Sequence, residues 1–486
     1  MRIPLPFLYA LCLILTIISC KRDEPAVDTK SSGYPANIAR LILSKCATQG
    51  CHTPASKEGA SGLSLSTWDD MMKGGRNGAV TIPYFSALST MRLFTNTYSK
   101  YGTMVKPTMP LNQNHLNEKE MQILIDWIDN GAPNSKGFVK FSDNIYRKKA
   151  YITNQGCDVV AVVDVESNLV MRYISVGLNN TSELPHTVKI SPNGEYWCVC
   201  FAAGNVFQIF STKNDKLVAS IPIPAGSWNT IAFSSDSKMV YTVDWNSGGQ
   251  VACINLQNLT LKKLIGAGSL EWPHGITLYN DTVMYVTANK GNFIYRANIS
   301  DLDNVDFKTI VAEKNTAINK NSSLDIHEIA FAPDHSKYFL SCQNSNEVRV
   351  MNAQKDTLIA IIPTGKYPVE FSFSTKHNLL FVSCMEDDTY INDGIKGSIA
   401  AINYVNNTLV STIKSGYQPH GLWADDAQDI LYIINRNINS DGPAPHHSSF
   451  CGGRNGYYQF IDMKTLQLIK GSNRELSSDP YSVAIH

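Results

Sequence analysis

Two patterns of hydrophobic residues divide the chain near residue 145. Before that point the clearest pattern is helical, with four apolar residues recurring at i, i+3, i+4 and i+7. These residues are Met121, Leu124, Ile125 and Ile128. Asn117 and Glu120 form a capping-box pattern ahead of them, and Gly131 and Pro133 follow them. The spacing predicts an amphipathic helix here, and residues 34–135 as a whole read as helices joined by loops.

After residue 145 the pattern changes to short alternating strands, and one motif recurs seven times. A residue that often follows proline begins an apolar alternating strand, and a turn and a second strand come next. The aligned positions are His186, Asn229, His274, His327, Val369, His420 and Tyr481. Repeats of roughly 40–50 residues with four strands each predict a β-propeller, here with seven blades. Because the last copy ends the chain, residues 481–485 are expected to complete the blade that begins near residue 150, closing the ring.

Composition adds limits on the class of protein. Lysine and arginine total 42, which balances 42 aspartate and glutamate residues, and 43% of the 486 residues are hydrophobic. The apolar content excludes a disordered chain. The chain has no excess of basic residues of the kind that nucleic-acid-binding proteins carry, so no nucleic acid is expected as a partner.

The first residues predict export. Met1 and Arg2 precede a 12-residue apolar run at 7–18, which suits a signal peptide and is too short to span a bilayer. The sequence Ile17-Ile-Ser-Cys20 resembles the lipobox of bacterial lipoproteins. That resemblance implies a signal peptide at 1–19, lipidation of Cys20, a tether at 20–33 and a lipid-anchored, outer-membrane location in the cell envelope, facing either the periplasm or the surface. The alternative is a secreted protein with an incidental cysteine.

A candidate haem-attachment site follows the first predicted helix. Cys-x-x-Cys-His is the usual signal for c-type haem, since two thiols bind the vinyl groups and the adjacent histidine reaches the iron. Here Cys46 and Cys51-His52 are separated by four residues rather than two, and Gly50 would permit the extra residues to turn outward. A small disulfide loop and a zinc knuckle are the alternatives.

Three further segments resemble small monohaem cytochrome c domains with the longer CX4CH spacing. They are Leu63–Gly75, Lys106–Pro110 and Trp127–Pro133. The resemblance implies haem c bound covalently by Cys46 and Cys51, with His52 and Met109 as axial ligands of the iron and Met104 as the fallback. Histidine–methionine ligation leaves no open iron position, which suits electron transfer to a redox partner protein.

The predicted fold class is therefore multidomain, with an N-terminal all-α cytochrome c domain at 34–135 followed by an all-β seven-bladed β-propeller at 145–486. The sequences Tyr151-Ile-Thr-Asn154 and Met284–Ala288 resemble the YVTN propeller family. This resemblance supports the fold and says little about function.

Six histidines are expected at one mouth of the propeller channel. Four occupy the repeat position and two lie in the long loop at 437–455; they are His186, His274, His327, His420, His446 and His447. Each imidazole could bind the backbone of a neighbouring blade. Alternatively, the histidines form a second metal site, for which copper or another cofactor is suited to imidazole ligands.

Seven cysteines are left once Cys12, Cys20 and the haem pair are set aside, so at least one is unpaired unless it binds metal. They are Cys157, Cys198, Cys200, Cys253, Cys342, Cys384 and Cys451. Small buried hydrophobic residues are the simplest interpretation of them.

Three functions compete at this point. The first is a lipid-anchored c-type cytochrome that mediates electron transfer, acting either as a carrier or as an oxidoreductase with a site at the propeller mouth. The second is a non-catalytic binding or scaffold propeller, docked to a respiratory chain by its haem domain. The third, a lactonase-like hydrolase, is disfavoured because only Glu328 and Glu370 lie beside the repeat position.

Overall fold

The computed structural model describes residues 31–178, 182–437, 451 and 456–486. Its larger part is a seven-bladed β-propeller, as predicted. Each blade is an antiparallel sheet of four strands, and blade 7 carries one additional strand. The innermost strands of successive blades contact each other in cyclic order, so that they enclose a central channel.

The segment before the propeller, residues 31–148, is called the N-terminal region below. It contains four α-helices and three short 3₁₀ helices. The α-helices are α1 (Ala36–Lys45), α2 (Trp68–Met72), α3 (Thr90–Thr95) and α4 (Glu118–Asp129), and the 3₁₀ helices are Lys57–Ala60, Ser86–Leu88 and Ser99–Tyr101. Asn117 and Glu120 form the predicted capping box, each side chain accepting a hydrogen bond from the other's backbone N–H. α1 and α4 pack against each other.

The prediction of an all-α cytochrome c domain is wrong. The molecule is nearly all β, and the α-helices of the N-terminal region have only 10, 5, 6 and 12 residues. Most of the region consists of turns, bends and extended chain. The physical reason is that sustained helical periodicity is confined to its two ends, while Gly, Ser, Pro and Asn, which favour turns, are frequent between them.

The N-terminal region also shares a hydrophobic core with the propeller. Ile82 and Leu88 are buried in a cluster formed mainly by blades 1 and 7. The rings of Phe85 and Tyr173 meet edge to face with centroids 5.7 Å apart. The Glu475 N–H donates to the Asn77 carbonyl oxygen over 2.8 Å. The region is therefore packed onto the blades where the propeller ring closes.

The strands follow the chain from blade to blade. Three strands of blade 1 come first: β1 (Lys149–Asn154), β2 (Val159–Asp164) and β3 (Leu169–Ser175). Blade 2 consists of β4 (Pro185–Ile190), β5 (Tyr196–Phe201), β6 (Gly204–Ser211) and β7 (Leu217–Gly226). Blade 3 consists of β8 (Trp228–Phe233), β9 (Met239–Asp244), β10 (Ser247–Asn255) and β11 (Thr260–Glu271). Blade 4 consists of β12 (Pro273–Asn280), β13 (Val283–Ala288), β14 (Phe293–Asn298) and β15 (Phe307–Val311).

The remaining blades have the same order. Blade 5 consists of β16 (Ile326–Phe331), β17 (Lys337–Cys342), β18 (Glu347–Asn352) and β19 (Thr357–Pro363). Blade 6 consists of β20 (Pro368–Ser374), β21 (Leu379–Cys384), β22 (Ser398–Asn403) and β23 (Thr408–Lys414). Blade 7 consists of β24 (Tyr417–Asp425), β25 (Ile430–Asn437), β26 (Gly456–Asp462) and β27 (Gln467–Leu468), with β28 (Arg474–Leu476) added beside β26.

The last strand, β29 (Pro480–Ile485), is the innermost strand of blade 1. It pairs antiparallel with β1, and Ala150 lies opposite Ile485. One sheet thus joins the two ends of the propeller sequence, which removes the exposed strand edges that an open ring would leave.

Seven cysteines have defined states apart from the proposed haem pair. Cys157, after β1, forms a disulfide with Cys451. The other five are unpaired and buried, as expected for small hydrophobic residues; they are Cys198, Cys200, Cys253, Cys342 and Cys384. No helix in the described part of the chain has the length and apolar character needed to cross a membrane.

Candidate functional site

The Cys46–His52 segment forms a compact turn at the end of α1. The Cys51 N–H donates to the Thr48 carbonyl oxygen (3.0 Å), and the His52 N–H donates to that of Cys46 (3.2 Å). Gly50 has a φ of +81°, the left-handed conformation that glycine adopts without strain. The four residues between the cysteines are therefore accommodated in a turn that returns His52 to the first cysteine.

Both thiols in this turn are free and half-buried. The structure therefore does not contain the small disulfide loop that was one alternative for this segment. A compact zinc site is not formed either, because within the described residues Cys46, Cys51 and His52 do not converge as a group of metal ligands. Burial raises the pKa of the Cys46 thiol to about 12, since a thiolate is poorly solvated there.

His52 is half-buried, and one of its ring nitrogens is hydrogen-bonded to the backbone. Its Nδ1 lies 3.3 Å from the Leu63 carbonyl oxygen, and a carbonyl can only accept a hydrogen bond, so Nδ1 carries the proton. Nε2 is then the atom with a lone pair, which is the usual arrangement for an imidazole that ligates a metal. Burial lowers the pKa of His52, which favours the neutral, ligating form.

The two candidate methionines differ in their surroundings. Met109 is half-buried, and its N–H donates to the carbonyl oxygen of Phe94 in α3 over 2.8 Å. Met104 is 54% exposed. Two free thiols, an imidazole and the thioether of Met109 are the types of donor that c-type haem uses.

A second cluster of chemically interesting residues fills the propeller channel. Four of the six predicted histidines lie here, together with Tyr481 of β29, and none of the five is more than 3% exposed. Their rings contact one another in a closed circuit, which we call the aromatic plug. The centroid distances are 5.8 Å for His186–His274, 3.7 Å for His274–His327, 6.1 Å for His327–His420, 3.6 Å for His420–Tyr481 and 4.4 Å for Tyr481–His186.

One plug histidine contacts the backbone of a neighbouring blade. The His186 Nδ1 lies 3.0 Å from the Asn229 carbonyl oxygen of the neighbouring blade 3. This is the backbone contact between blades that the sequence offered as the alternative to metal binding. The other two predicted histidines, His446 and His447, lie outside the described residues. Cys451, from the same loop, is held in its disulfide and offers no thiolate.

The carbonyl groups of the plug histidines are held by hydroxyl groups of adjacent blades. Thr153 and Thr287, on the second strands of blades 1 and 4, donate to the carbonyl oxygens of His186 (2.9 Å) and His327 (3.0 Å). Ser383, on the second strand of blade 6, donates to that of His420 (2.7 Å). Thr153 and Thr287 are the threonines of the Tyr-Ile-Thr-Asn and Tyr-Val-Thr-Ala sequences. Those sequences could therefore have predicted the two bonds, but the sequence analysis used them only to recognise the fold.

Glu328 also belongs to this cluster, although the sequence analysis did not include it among the candidate metal ligands. It is buried, and the possible ligand atoms of His274, His327 and Glu328 all lie within 4.8 Å of one another. Its Oε1 accepts a hydrogen bond from the Ile329 N–H over 3.0 Å, whereas Oε2 has no hydrogen-bond partner among the described residues. Burial, with the nearby carboxylate of Glu370 as a second cause, raises the pKa of Glu328.

Beyond the plug the channel widens into a cavity of ≈320 Å³, called the channel cavity below. It is lined by the parts of the innermost strands that follow the plug residues, and it includes both Glu328 and Glu370. Lys189 and Trp423 also line it. Since Lys189 is exposed, the cavity opens to solvent at the end where the innermost strands finish.

Comparison with known proteins supports the fold and leaves the function open. No protein-family model and no curated protein sequence matches the chain. A functionally unknown protein from Desulfotomaculum acetoxidans DSM 771 is similar in structure, with a TM-score of 0.53, 12% identity, and coverage of 69% of this chain and 98% of that one. Hydrazine synthase from Kuenenia stuttgartiensis gives a TM-score of 0.45 and 14% identity over 60% of this chain and 79% of that one. At these identities the first likeness shows the fold alone, and the second is too distant to carry an argument.

Proposed function

We propose that the chain is a redox protein that carries one covalently bound haem c in its N-terminal region and exchanges electrons with a partner protein. The observation that supports this most strongly is the turn from Cys46 to His52. It presents two free thiols and an imidazole whose Nδ1 is already held by the Leu63 carbonyl group.

In this proposal each residue has a distinct task. Cys46 and Cys51 would form the thioether bonds, and His52 would offer Nε2 to the iron while the Leu63 carbonyl holds the ring in place. Met109 would offer its sulfur as the second ligand of the iron. A haem with histidine–methionine ligation supplies one-electron transfer rather than oxygen chemistry, because no coordination position is open.

The proposed location follows from the N-terminus. Cys20 lies outside the described residues, and its lipobox-like context supports a lipid anchor in the outer membrane of the cell envelope. Haem c attachment and the Cys157–Cys451 disulfide both suit a compartment outside the reducing cytoplasm.

Covalent haem attachment tests the proposal. The full chain is produced with a cytochrome c maturation system, and haem is detected on a denaturing gel and by its pyridine haemochrome spectrum. We expect one covalently bound haem per chain in the unsubstituted protein, and none in the Cys46→Ser/Cys51→Ser double variant. Cys253→Ser, which removes a thiol from blade 3, is the matched control and should keep the haem.

The axial ligand is tested on the same material. Met109→Ala should lose the absorption band that arises from a methionine–iron bond, while Met104→Ala should keep it. An unsubstituted chain without haem, from cells in which a known cytochrome c is matured normally, would overturn the proposed function.

A further inference from the structure

We propose that His274, His327 and Glu328 bind one divalent transition-metal ion at the boundary between the aromatic plug and the channel cavity. This site is separate from the proposed haem site and does not depend on it. It also differs from the six-histidine site predicted from the sequence, because it uses two of those histidines and a carboxylate.

The backbone places the three side chains together. His274 is on β12 and His327 is on β16, which are the innermost strands of adjacent blades, and these strands contact each other. Glu328 directly follows His327, and in a regular strand consecutive side chains point to opposite faces. The pairing of β16 with β17 shifts between Ile326 and Ile329, and this irregularity allows both side chains to face the channel.

The charge balance favours a cation at this point. A buried carboxylate is expensive unless it is paired or coordinates a metal. Glu328 is 6% exposed, and Oε2 has no hydrogen-bond partner among the described residues. A divalent ion held between this oxygen and the two imidazoles would stabilise the ionised carboxylate in its buried position.

The donor set identifies the class of ion. Two histidines and one glutamate are the ligands of a well-known group of catalytic zinc sites, which keep a further position for water or substrate. Two histidines and one carboxylate also suit Fe²⁺, and imidazole ligands suit Cu²⁺. Mg²⁺ and Ca²⁺ are disfavoured, since they prefer a shell of oxygen ligands.

The channel cavity gives the ion access to a small ligand. Glu328 lines both the proposed site and the cavity, so a fourth position on the ion would face the cavity. A volume of ≈320 Å³ is at the lower end of the range for small-molecule sites, about 300–1,000 Å³. Glu370 on blade 6 and Lys189 on blade 2 also line the cavity, so a carboxyl group and an amino group would flank such a ligand.

Cobalt binding tests the proposal, because Co²⁺ has visible absorption bands that report the number and type of its ligands. The full chain is stripped of metal with a chelator and titrated with Co²⁺ as the only added ion. Every protein carries Cys46→Ser and Cys51→Ser, so that neither thiol binds cobalt and no haem is attached. Binding is followed by equilibrium dialysis and by absorption, and the fold is checked by circular dichroism.

We expect one Co²⁺ per chain in this background. Loss of a residue that merely supports a ligand weakens metal binding by roughly 10–100-fold. Glu328→Gln replaces an anionic ligand by a neutral amide, so it should weaken binding by about 100-fold or more. His327→Gln should have a similar effect. Glu370→Gln, on the same cavity wall, and His186→Gln, in the same plug, should keep the original affinity.

Three results would overturn the proposal: no stoichiometric Co²⁺ binding by the folded chain, unchanged affinity in Glu328→Gln, or equal losses in Glu370→Gln and His186→Gln. A haem-free chain that binds Co²⁺ as described would support this site even if the proposed electron-transfer function failed. Covalent haem in the unsubstituted chain, together with no Co²⁺ binding in the Cys46→Ser/Cys51→Ser background, would support the electron-transfer function and overturn this metal site.

Discussion

Arg436 and Asp479 form a fully buried ion pair where blade 7 meets the closing strand. The Arg436 Nε lies 2.6 Å from Asp479 Oδ1, and Nη2 lies 2.8 Å from Oδ2. Both side chains are 0% exposed. The guanidinium also lies over the ring of Tyr481, 5.3 Å from its centroid. The pair thus connects the second strand of blade 7 to a member of the aromatic plug.

Asp479→Asn is expected to destabilise the protein strongly. The substitution removes the carboxylate that makes two hydrogen bonds to the buried guanidinium, and breaking such a pair typically costs about 3–5 kcal/mol. The measurement is the free energy of unfolding from urea titration of the variant and the unsubstituted chain.

Asp143→Asn is the matched control for this prediction. Asp143 also pairs with an arginine, Arg147, but its side chain is 55% exposed, and exposed pairs contribute about 0–1 kcal/mol. Equal losses of stability in the two variants would contradict the assignment of a special role to the buried pair.

At the level of strands, the blades are joined by a recurring hydrogen bond. A hydroxyl group on the second strand of one blade donates to the backbone carbonyl group at the repeat position of the next blade. Blade 5 repeats the arrangement, with Ser341 donating to the Val369 carbonyl oxygen over 2.7 Å. Because the donor and the acceptor belong to different sheets, each bond fixes one blade relative to its neighbour.

Ser383→Ala should show the contribution of one such bond. The substitution leaves the buried His420 carbonyl group without this donor, and an unsatisfied buried group costs about 1–3 kcal/mol. Thermal unfolding is the measurement. Ser383→Thr, which keeps the hydroxyl group that blades 1 and 4 use at this position, should lose less stability than Ser383→Ala, and the opposite order would contradict the interpretation.

The strands also show which parts of the site the sequence predicts. The repeat register correctly places His186, His274, His327 and His420 at equivalent positions, because that register depends on local alternation and turn residues. It does not predict that Glu328 joins His327, since alternation places consecutive residues on opposite faces. The irregularity between Ile326 and Ile329 changes this, and it leaves no mark in the hydrophobic pattern.

At the scale of the whole molecule, β29 closes the propeller, and the N-terminal region packs onto the blades where the ring closes. β29 supplies the innermost strand of blade 1 and contacts the innermost strands of blades 2 and 7. The seven blades could be predicted because each repeat carries the same strand-entry motif in the sequence. The N-terminal region could not, because its segment at 74–88 is short, has no α-helix and is stabilised by contacts with blades 1 and 7 that are distant in sequence.

A chain that ends at Asp479 is expected to lose cooperative unfolding. Without β29, the hydrogen-bonding edge of β1 is exposed, and blade 1 loses the strand that packs it against its neighbours. Calorimetry should show a lower and broader transition, and gel filtration should show association through the open edge.

A peptide comprising residues 479–486, added in excess, is the control for this truncation. Its pairing with β1 should restore the sharp transition, whereas a scrambled peptide should not. A truncated chain that unfolds at the original temperature would contradict the closing role of β29.

The aromatic plug lies in the propeller channel, with the channel cavity on one side of it. Its five rings lie between the face that carries the Cys157–Cys451 disulfide and the channel cavity, which opens where the innermost strands finish. Within the described residues, the cavity that contains Glu328 and Glu370 opens to solvent beside Lys189, on the side of the plug away from the disulfide. A protein bound across that opening would separate the channel cavity, and any small ligand in it, from bulk water.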